Sequence, residues 1–353
     1  MESAEPMGPS LKELIARITA GTHLSTGDAR HAFHEVMSGR ASQVQIAGLL
    51  VGLRAKGEVP TEVAGGVQAL REAMIPVQAE AAQELVDTCG TGGGGVTTFN
   101  ISTAAALLAA GAGVRIAKHG NRSFTSRCGS ADVLEALGVD IELAPDAMAR
   151  VLDRAGIVFM FAPLLHPAMR HVAPVRRELG LPTIMNLLGP LTNPAGASRQ
   201  VVGVTHPELL ELVAGALREL GHDRALVVHG EPGLDELSPI GTSRVIELRE
   251  GELRTYTVSP KDFGWPGMDP RSLDGGDPPY NATVILEIFR GERHDAARAA
   301  VVLNAGAALY VAGLAESLAE AVERAERALA EGAGLEALER LRSATRQVRT
   351  ARR

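Results

Sequence analysis

The sequence predicts an α/β protein: a small all-helical N-terminal part, then a larger part built on a mostly parallel central sheet flanked by helices. Three observations carry this. Residues 10–74 repeat the apolar spacing of amphipathic helices and hold no strand pattern. From Glu84 onward, short apolar runs alternate with glycine-rich turns and helical stretches, as βαβ units do. Aromatic residues are only 3% of the chain while Ala, Gly and Leu abound, which suits helices packed closely on a sheet.

The opening reads as four helices, SLKELIARITAG, STGDARHAFHEVMSG, ASQVQIAGLLVGLRAKG and PTEVAGGVQALREAM. Ser25, Ser42 and Thr61 are expected N-caps, and Gly21, Gly39 and Gly57 expected stops. Next come ELVDTCG as a strand, ISTAAALLAAGA as a helix, VRIAKHG as a strand, SADVLEALG as a helix and VDIEL as a strand. DAMARVLDRAG and PELLELVAGALRELG read as helices, IVFMFAP and RALVVHG as strands. HPAMRHVAPVRRELG and NLLGPLTNPAG read as helix and loop, and a long helical stretch from Asp295 closes the fold.

At 353 residues the chain is long enough for two domains or for one large domain with an appendage. A net charge of -7 and few aromatics argue against a nucleic-acid binder. The two cysteines, Cys89 and Cys128, lack metal-site spacing, and there is no signal-peptide pattern and no apolar run of about 18 residues. A cytoplasmic protein with reduced thiols, away from membranes, is therefore expected.

DTCGTGGGGVTTFNIST sets four consecutive glycines ahead of a helix, each costing about 0.5–1 kcal/mol relative to alanine in a regular element. Gly90, Gly92 and Gly95 satisfy G-x-G-x-x-G, but the next strand ends in Lys118 and His119 where a dinucleotide site wants an acid. Gly90 and Gly95 also have P-loop spacing, but Val96 and Thr97 follow where Lys and Ser or Thr are required. What survives is a run of free amides at a helix start, suited to an anion, or else a ligand-free glycine turn.

KHGNRSFTSRCGSAD brings Lys118, Arg122 and Arg127 together with several hydroxyls, again beyond a strand's carboxyl end. That set suits a polyphosphate, and a solvated loop is the other reading. Asp235 and Glu236 are adjacent after a further strand. They read as turn acids or, with a phosphate site nearby, as magnesium ligands. His166, Arg170, Arg176 and Arg177 read either as a basic helix face or as an arginine grip for a carboxylate.

Taken in order, GTGG with TFNIST, KHGNR with GSADVLEALG, HPAMRHVAPVRRELG, NLLGPLTNP, and VVHG with GLDELS resemble the anthranilate phosphoribosyltransferase family. The opening helices join them, so the resemblance covers nearly the whole chain. It implies a homodimer of the nucleoside phosphorylase-like phosphoribosyltransferase fold, with a small helical domain over residues 1–80, joined by parts of 165–200, hinged to a large domain over 81–353. The implied reaction joins anthranilate to 5-phosphoribosyl 1-pyrophosphate (PRPP) in tryptophan biosynthesis, releasing pyrophosphate.

The resemblance also implies roles. Gly90, Thr91, Gly92 and Gly93 would wrap PRPP with Thr98, Asn100, Ser102 and Thr103, while Lys118 and the turn of Ser126, Arg127, Gly129 and Ser130 would take phosphate oxygens. Ser102, Asp235 and Glu236 would hold Mg²⁺, two ions per subunit. Gly90, His119, Asn121 and Arg176 would contact anthranilate, and Pro163, His166 and Met169 would line its access path. No side chain is expected as acid or base; Lys118 and bound magnesium would stabilise the transition state.

One departure stands out: the family's GTGGDG reads GTGGGG here, so Gly94 stands where an aspartate is usual, which predicts altered magnesium handling. Met169 and Met185 are milder departures, at positions often aromatic in the family. A pyrimidine nucleoside phosphorylase shares the implied fold, but its lysine-histidine-serine-threonine-glycine run is absent. A non-catalytic nucleic-acid-binding relative would rely on the six arginines of RLRSATRQVRTARR, which otherwise read as a frayed, solvated helix end.

Overall fold

The computed structural model describes residues 8–93, 96–123, 127–265 and 267–350. Gly94 and Ser126 lie outside the described residues.

Helices α1 (Leu11–Thr19), α2 (Thr26–Met37), α3 (Gln43–Lys56) and α4 (Pro60–Ala73) form the opening. Ser25 and Ser42 cap α2 and α3 through their hydroxyls, each such cap being worth about 1 kcal/mol. Thr61 is not a cap. Pro60, with its fixed φ, takes the first position of α4, and the Thr61 hydroxyl donates to the Leu24 carbonyl instead. The Glu62 carboxylate, fully buried, accepts from the Val59 and Leu24 amides and pairs with Lys56 at 3.0 Å, which locks the α1–α2 turn onto the start of α4.

Among the described residues, seven strands form one sheet in the order β3-β2-β1-β4-β5-β6-β7. They are β1 (Val86–Gly90), β2 (Ile116–Gly120), β3 (Ile157–Phe161), β4 (Arg199–Gly203), β5 (Arg224–Gly230), β6 (Ser243–Arg249) and β7 (Glu252–Val258). The first five run parallel, and β6 and β7 add an antiparallel edge. Helix α5 (Ile101–Gly111) follows β1, and α6 (Ser130–Ala136) follows β2.

Side chains alternate across the strands and serve two cores. Val201, Leu226, Val228 and Val245 join the core around α5 and the C-terminal helices. Val202, Ala225, Val227, Ile246 and Leu248 face the other way, into a core shared with α1–α4, with Val172 to Leu191 and with the helix Leu209–Glu219. The helical opening is thus seated on the back of β4–β6.

Several expectations are corrected. VDIEL is not a strand: Val139, Ile141 and Leu143 are buried, but no neighbouring strand pairs with them. RQVVG forms β4, which sequence reading passed over, as it did β6 and β7. HPAMRHVAPVRRELG divides into a 3₁₀ turn, Pro167–His171, and a helix, Ala173–Leu179. The helical stretch from Asp295 to Gly332 is two helices, Ala296–Ala312 and Leu318–Ala330, and a third, Ala333–Thr350, follows it. The last is no frayed tail, since Leu338, Leu341, Ala344 and Val348 are buried. Its Arg342 donates to the Leu137 carbonyl, and Arg349 pairs with Asp140 at 2.6 Å.

Candidate active site

After β1 the chain builds β2 and β3 on one side, then returns to place β4 and β5 on the other. That reversal opens a crevice beyond the carboxyl ends of β1 and β4. Gly90 ends β1 opposite Gly203 of β4, and the turn after β5 lies over both. A Cβ on Gly90 would stand 2.3 Å from Asp235 Oδ2, and one on Gly203 would stand 1.6 Å from the Asp235 carbonyl oxygen. These two glycines therefore yield to the chain's own acid. Gly92 and Gly93 differ: both have positive φ, at 62° and 79°, and face open space. The Gly92 amide donates to Asp235 Oδ2 at 3.0 Å, so the glycine turn and the acid turn are tied together. Thr91 is held by its amide on the Gly203 carbonyl.

Lys118 and His119 are neighbours on β2 and so face opposite sides of the sheet. Lys118 is buried, and its ammonium donates to the Thr88 carbonyl at 2.5 Å and lies 3.3 Å from Ser102 Oγ on the first turn of α5. Burial lowers its pKa, an effect opposed chiefly by Asp87. Asp87 is fully buried on the other side and accepts from Asn193 Nδ2 at 2.8 Å and from the His119 amide at 3.2 Å. Burial still pushes its carboxyl up to about 6. Asp87, Asn193 and the buried Gln200 beside them are polar support that sequence reading missed. The available signal was an acid inside the apolar strand ELVDTCG.

Asp235 and Glu236 are half-buried. Burial raises both, and the adjacent like charge helps carry Glu236 up to about 8, against the pull of Lys118 and the hydrogen bonds of Ser102. Among the described residues, no three His, Cys, Asp or Glu side chains gather as a metal cage. Two carboxyl groups and the Ser102 hydroxyl are nonetheless hard oxygen ligands, and the raised Glu236 carboxyl reflects the cost of two adjacent buried acids without a cation. They fit Mg²⁺, which usually takes one or two protein carboxylates and completes its shell with phosphate and water.

The loop from β2 to α6 uses much of its polarity on itself. Arg122 pairs with Asp132 at 2.9 Å and Glu135 at 2.5 Å and lies over the Phe161 ring, so it is not a free phosphate cation. Asp132 accepts from the Gly129 amide, and Ser130 Oγ donates to the Asn121 carbonyl. Arg127 is exposed. Asn100, at the start of α5, donates to the Cys128 carbonyl and accepts from Asn281, joining this loop to the glycine turn. Thr98 bridges to Asp274, and the buried Thr103 hydroxyl has no partner among the described residues.

On the opposite face His119 Nε2 and His166 Nε2 meet at 3.1 Å. Burial lowers the two rings to about 3 and about 4, so both are neutral near pH 7. Pro163 is exposed in the short helix Ala162–Leu165, and Met169 packs against the core of the helical opening. Arg176 is half-buried, touches Asn186 Oδ1 at 3.4 Å and pairs with no carboxylate among the described residues.

Comparison with known proteins agrees with this geometry. Residues 12–74 match the glycosyl transferase family helical bundle domain, and residues 82–335 match the a/b domain of the same family. The anthranilate phosphoribosyltransferase of Rubrobacter xylanophilus is 51% identical over 96% of this chain and 98% of its own. The crystal structure of the Thermus thermophilus enzyme of that name superposes with a TM-score of 0.89 at 45% identity, covering 94% of this chain and 99% of the other. The Saccharomyces cerevisiae enzyme in complex with PRPP and Mg superposes with a TM-score of 0.86 at 25% identity, over 96% and 98%. The chain belongs to the anthranilate phosphoribosyltransferase family, within the glycosyl transferases.

Proposed function

We propose that this protein transfers the phosphoribosyl group of PRPP to the amine of anthranilate, giving N-(5-phosphoribosyl)anthranilate and pyrophosphate. The observation that carries the reading is the Lys118–Ser102–Glu236 cluster, tied to the glycine turn through the adjacent Asp235, whose Oδ2 accepts from the Gly92 amide.

In this reading the C1–O bond of PRPP breaks, pyrophosphate leaves with its electron pair, and the amine lone pair forms the new C1–N bond as the amine loses a proton. The leaving group gathers negative charge in the transition state, so fixed donors there count most. Lys118 and the amide of Gly93 meet that charge, with Thr91, Gly92, Thr98, Asn100, Thr103 and the turn of Ser126, Arg127, Gly129 and Ser130 holding the phosphoribosyl part. Asp235, Glu236 and Ser102 hold Mg²⁺, which neutralises phosphate charge when bound; we assign two ions per subunit. Alternation along β2 supports separate subsites, because Lys118 faces the phosphate side and His119 the other. There Gly90, Asn121 and His119 contact anthranilate, Arg176 grips its carboxylate, and Pro163, His166 and Met169 line the approach. A held nucleophile next to a stabilised leaving group needs no side-chain base.

We further infer that residues 1–80 with parts of 165–200 move as one body against 81–353, closing to exclude water from the activated sugar. A homodimer is supported by α3, whose exposed face carries Val44, 82% exposed, and Val51. Among the described residues no helix is long and apolar enough to cross a membrane. A cytoplasmic setting without nucleic-acid partners is consistent with that and with the net charge. Mixing the protein with Mg²⁺, PRPP and anthranilate and following the loss of anthranilate fluorescence tests the reading; unchanged fluorescence rejects it.

A further inference from the structure

Helix Ala296–Ala312 is buried without a break from Ala299 to Leu309, and Asn304 is the one polar side chain in that stretch. A carboxamide drawn into such surroundings is costly unless its groups are paired, and here every one is used. Asn304 Oδ1 accepts from the Leu237 amide at 3.0 Å, while Nδ2 donates to the Leu237 carbonyl at 3.0 Å and to the Ala300 carbonyl of its own helix at 2.9 Å. The bond to Ala300 orients the amide plane, and the other two hold Leu237 by both of its backbone groups.

Leu237 follows Glu236 directly. It lies outside helix and strand and is fully buried, so its amide and carbonyl have no water to turn to. Two strand ends press on the same turn from the other side. The Glu236 carbonyl oxygen lies 2.5 Å from where a Cβ on Gly230 would stand, and the Asp235 backbone lies against Gly203. The acid turn is thus gripped between the ends of β4 and β5 and helix Ala296–Ala312. That helix is itself fastened to the sheet: Arg199 of β4 donates to the Ala312 carbonyl at 2.7 Å, and the Tyr310 hydroxyl donates to Glu247 of β6 at 2.7 Å.

We propose that Asn304 is a positioning residue for the Asp235–Glu236 pair: by clamping Leu237 it holds the two carboxyl groups ready for Mg²⁺. The inference rests on the reading of that pair as magnesium ligands; Asn304 acts through Leu237 and is no ligand itself. Side chains that orient metal ligands in this way typically affect metal affinity about 10–100-fold.

Asn304→Leu keeps the branched shape and removes all three hydrogen bonds. Titration calorimetry of the full chain with Mg²⁺ and pyrophosphate should give a dissociation constant about 10–100-fold higher in this variant than in the parent. The KM for anthranilate, measured at saturating Mg²⁺ and PRPP, should be unchanged. In the metal-free proteins the amides of Asp235 to Ser238 should exchange with deuterium at least about tenfold faster in the variant. Val302→Ala, buried on the opposite side of the same helix, should lower Tm and leave the dissociation constant as in the parent. Parent-like binding or parent-like exchange in Asn304→Leu, or equal weakening in Val302→Ala, overturns the proposal. No magnesium-dependent binding in the parent rejects the acid pair as the metal site, and this assignment with it. Should Asn304→Leu fail to fold, Asn304→Ser decides, because its hydroxyl bonds back to its own helix and is too short to clamp Leu237. The same weakening then supports the proposal, and parent-like binding overturns it.

Discussion

The Gly92 amide donates to Asp235 Oδ2 at 3.0 Å, and the same oxygen lies 2.3 Å from where a Cβ on Gly90 would stand. One carboxylate therefore sets the position of the glycine turn and forbids a side chain at the end of β1. Gly90→Ala must push Asp235 aside, at a stability cost of about 1–3 kcal/mol. Half-saturation by Mg²⁺ should rise at least about tenfold, and kcat/KM for PRPP should fall about 10²–10³-fold. Gly93→Ala meets no neighbour and carries only the strain of a positive φ, about 1–2 kcal/mol, so its magnesium titration should match the unaltered enzyme. Superimposable titrations for Gly90→Ala and the parent would contradict this coupling.

Asp87 is the main partner that keeps the buried Lys118 charged. Asp87→Asn preserves shape but removes that support, so the Lys118 pKa, already lowered by burial, should fall further. The ammonium form then thins out as pH rises. The expected result is a KM for PRPP that begins to climb at lower pH than in the parent, with kcat/KM about tenfold lower at the alkaline end of the profile. Parallel pH profiles would show that Lys118 does not depend on Asp87.

The strands that build the crevice were legible because β1, β2, β3 and β5 are apolar runs ending in glycine or in the short helix after β3, and each is followed or preceded by an evident helix. β4 was not: RQVVG is short and follows a proline-rich loop, and its strand character comes from lying between β1 and β5. VDIEL shows the converse, since its alternation anchors a loop when no strand is available to pair with it. Lys118, Asp235 and Glu236 stood out as charges after strands. Asp87 and Asn193 did not, because a buried polar pair is recognised by contacts between residues 106 apart. Arg122 looked like a phosphate ligand in the sequence, and only its pairing with Asp132 and Glu135 shows otherwise.

The His119–His166 contact predicts an acid-sensitive fold. Both rings are lowered, to about 3 and about 4, so the unfolded chain takes up protons first as pH falls below the ordinary histidine value of about 6.5. Their contribution to stability is complete above that value and is lost as pH drops toward 4. His166→Gln, which keeps a donor for His119, should flatten the decline of Tm between pH 6.5 and 4, measured by scanning calorimetry. An unchanged slope would assign the acid limb to other groups.

Val44 is 82% exposed on α3, with Val51 two turns further along the same face. Val44→Glu places a charge at the middle of the inferred dimer contact without touching either core. Sedimentation velocity should show a shift from dimer to monomer at micromolar concentration, with circular dichroism unchanged. A dimer that persists would exclude this face.

Glu236 links magnesium, pH and stability. Its carboxyl is raised to about 8 by burial and by Asp235, so in the free protein it is largely protonated at neutral pH. A carboxyl whose folded pKa exceeds its unfolded value of about 4.3 stabilises the fold most below that value, and its contribution declines as pH rises toward 8. Magnesium requires the ionised form, so binding at pH 7 must release protons. The rise in Tm produced by Mg²⁺ with pyrophosphate should therefore be larger at pH 8.5 than at 6.5, and titration calorimetry in buffers of different ionisation enthalpy should register the released protons. Glu236→Gln should make the free protein more heat-stable than the parent at pH 8.5, abolish most of the magnesium-dependent rise and lower kcat by about 10²-fold. Asp235→Asn removes the adjacent charge, so Glu236 should ionise at lower pH and the difference between pH 6.5 and 8.5 should shrink. Equal magnesium shifts at the two pH values in the parent, retained in Glu236→Gln, would mean that the ion is held elsewhere.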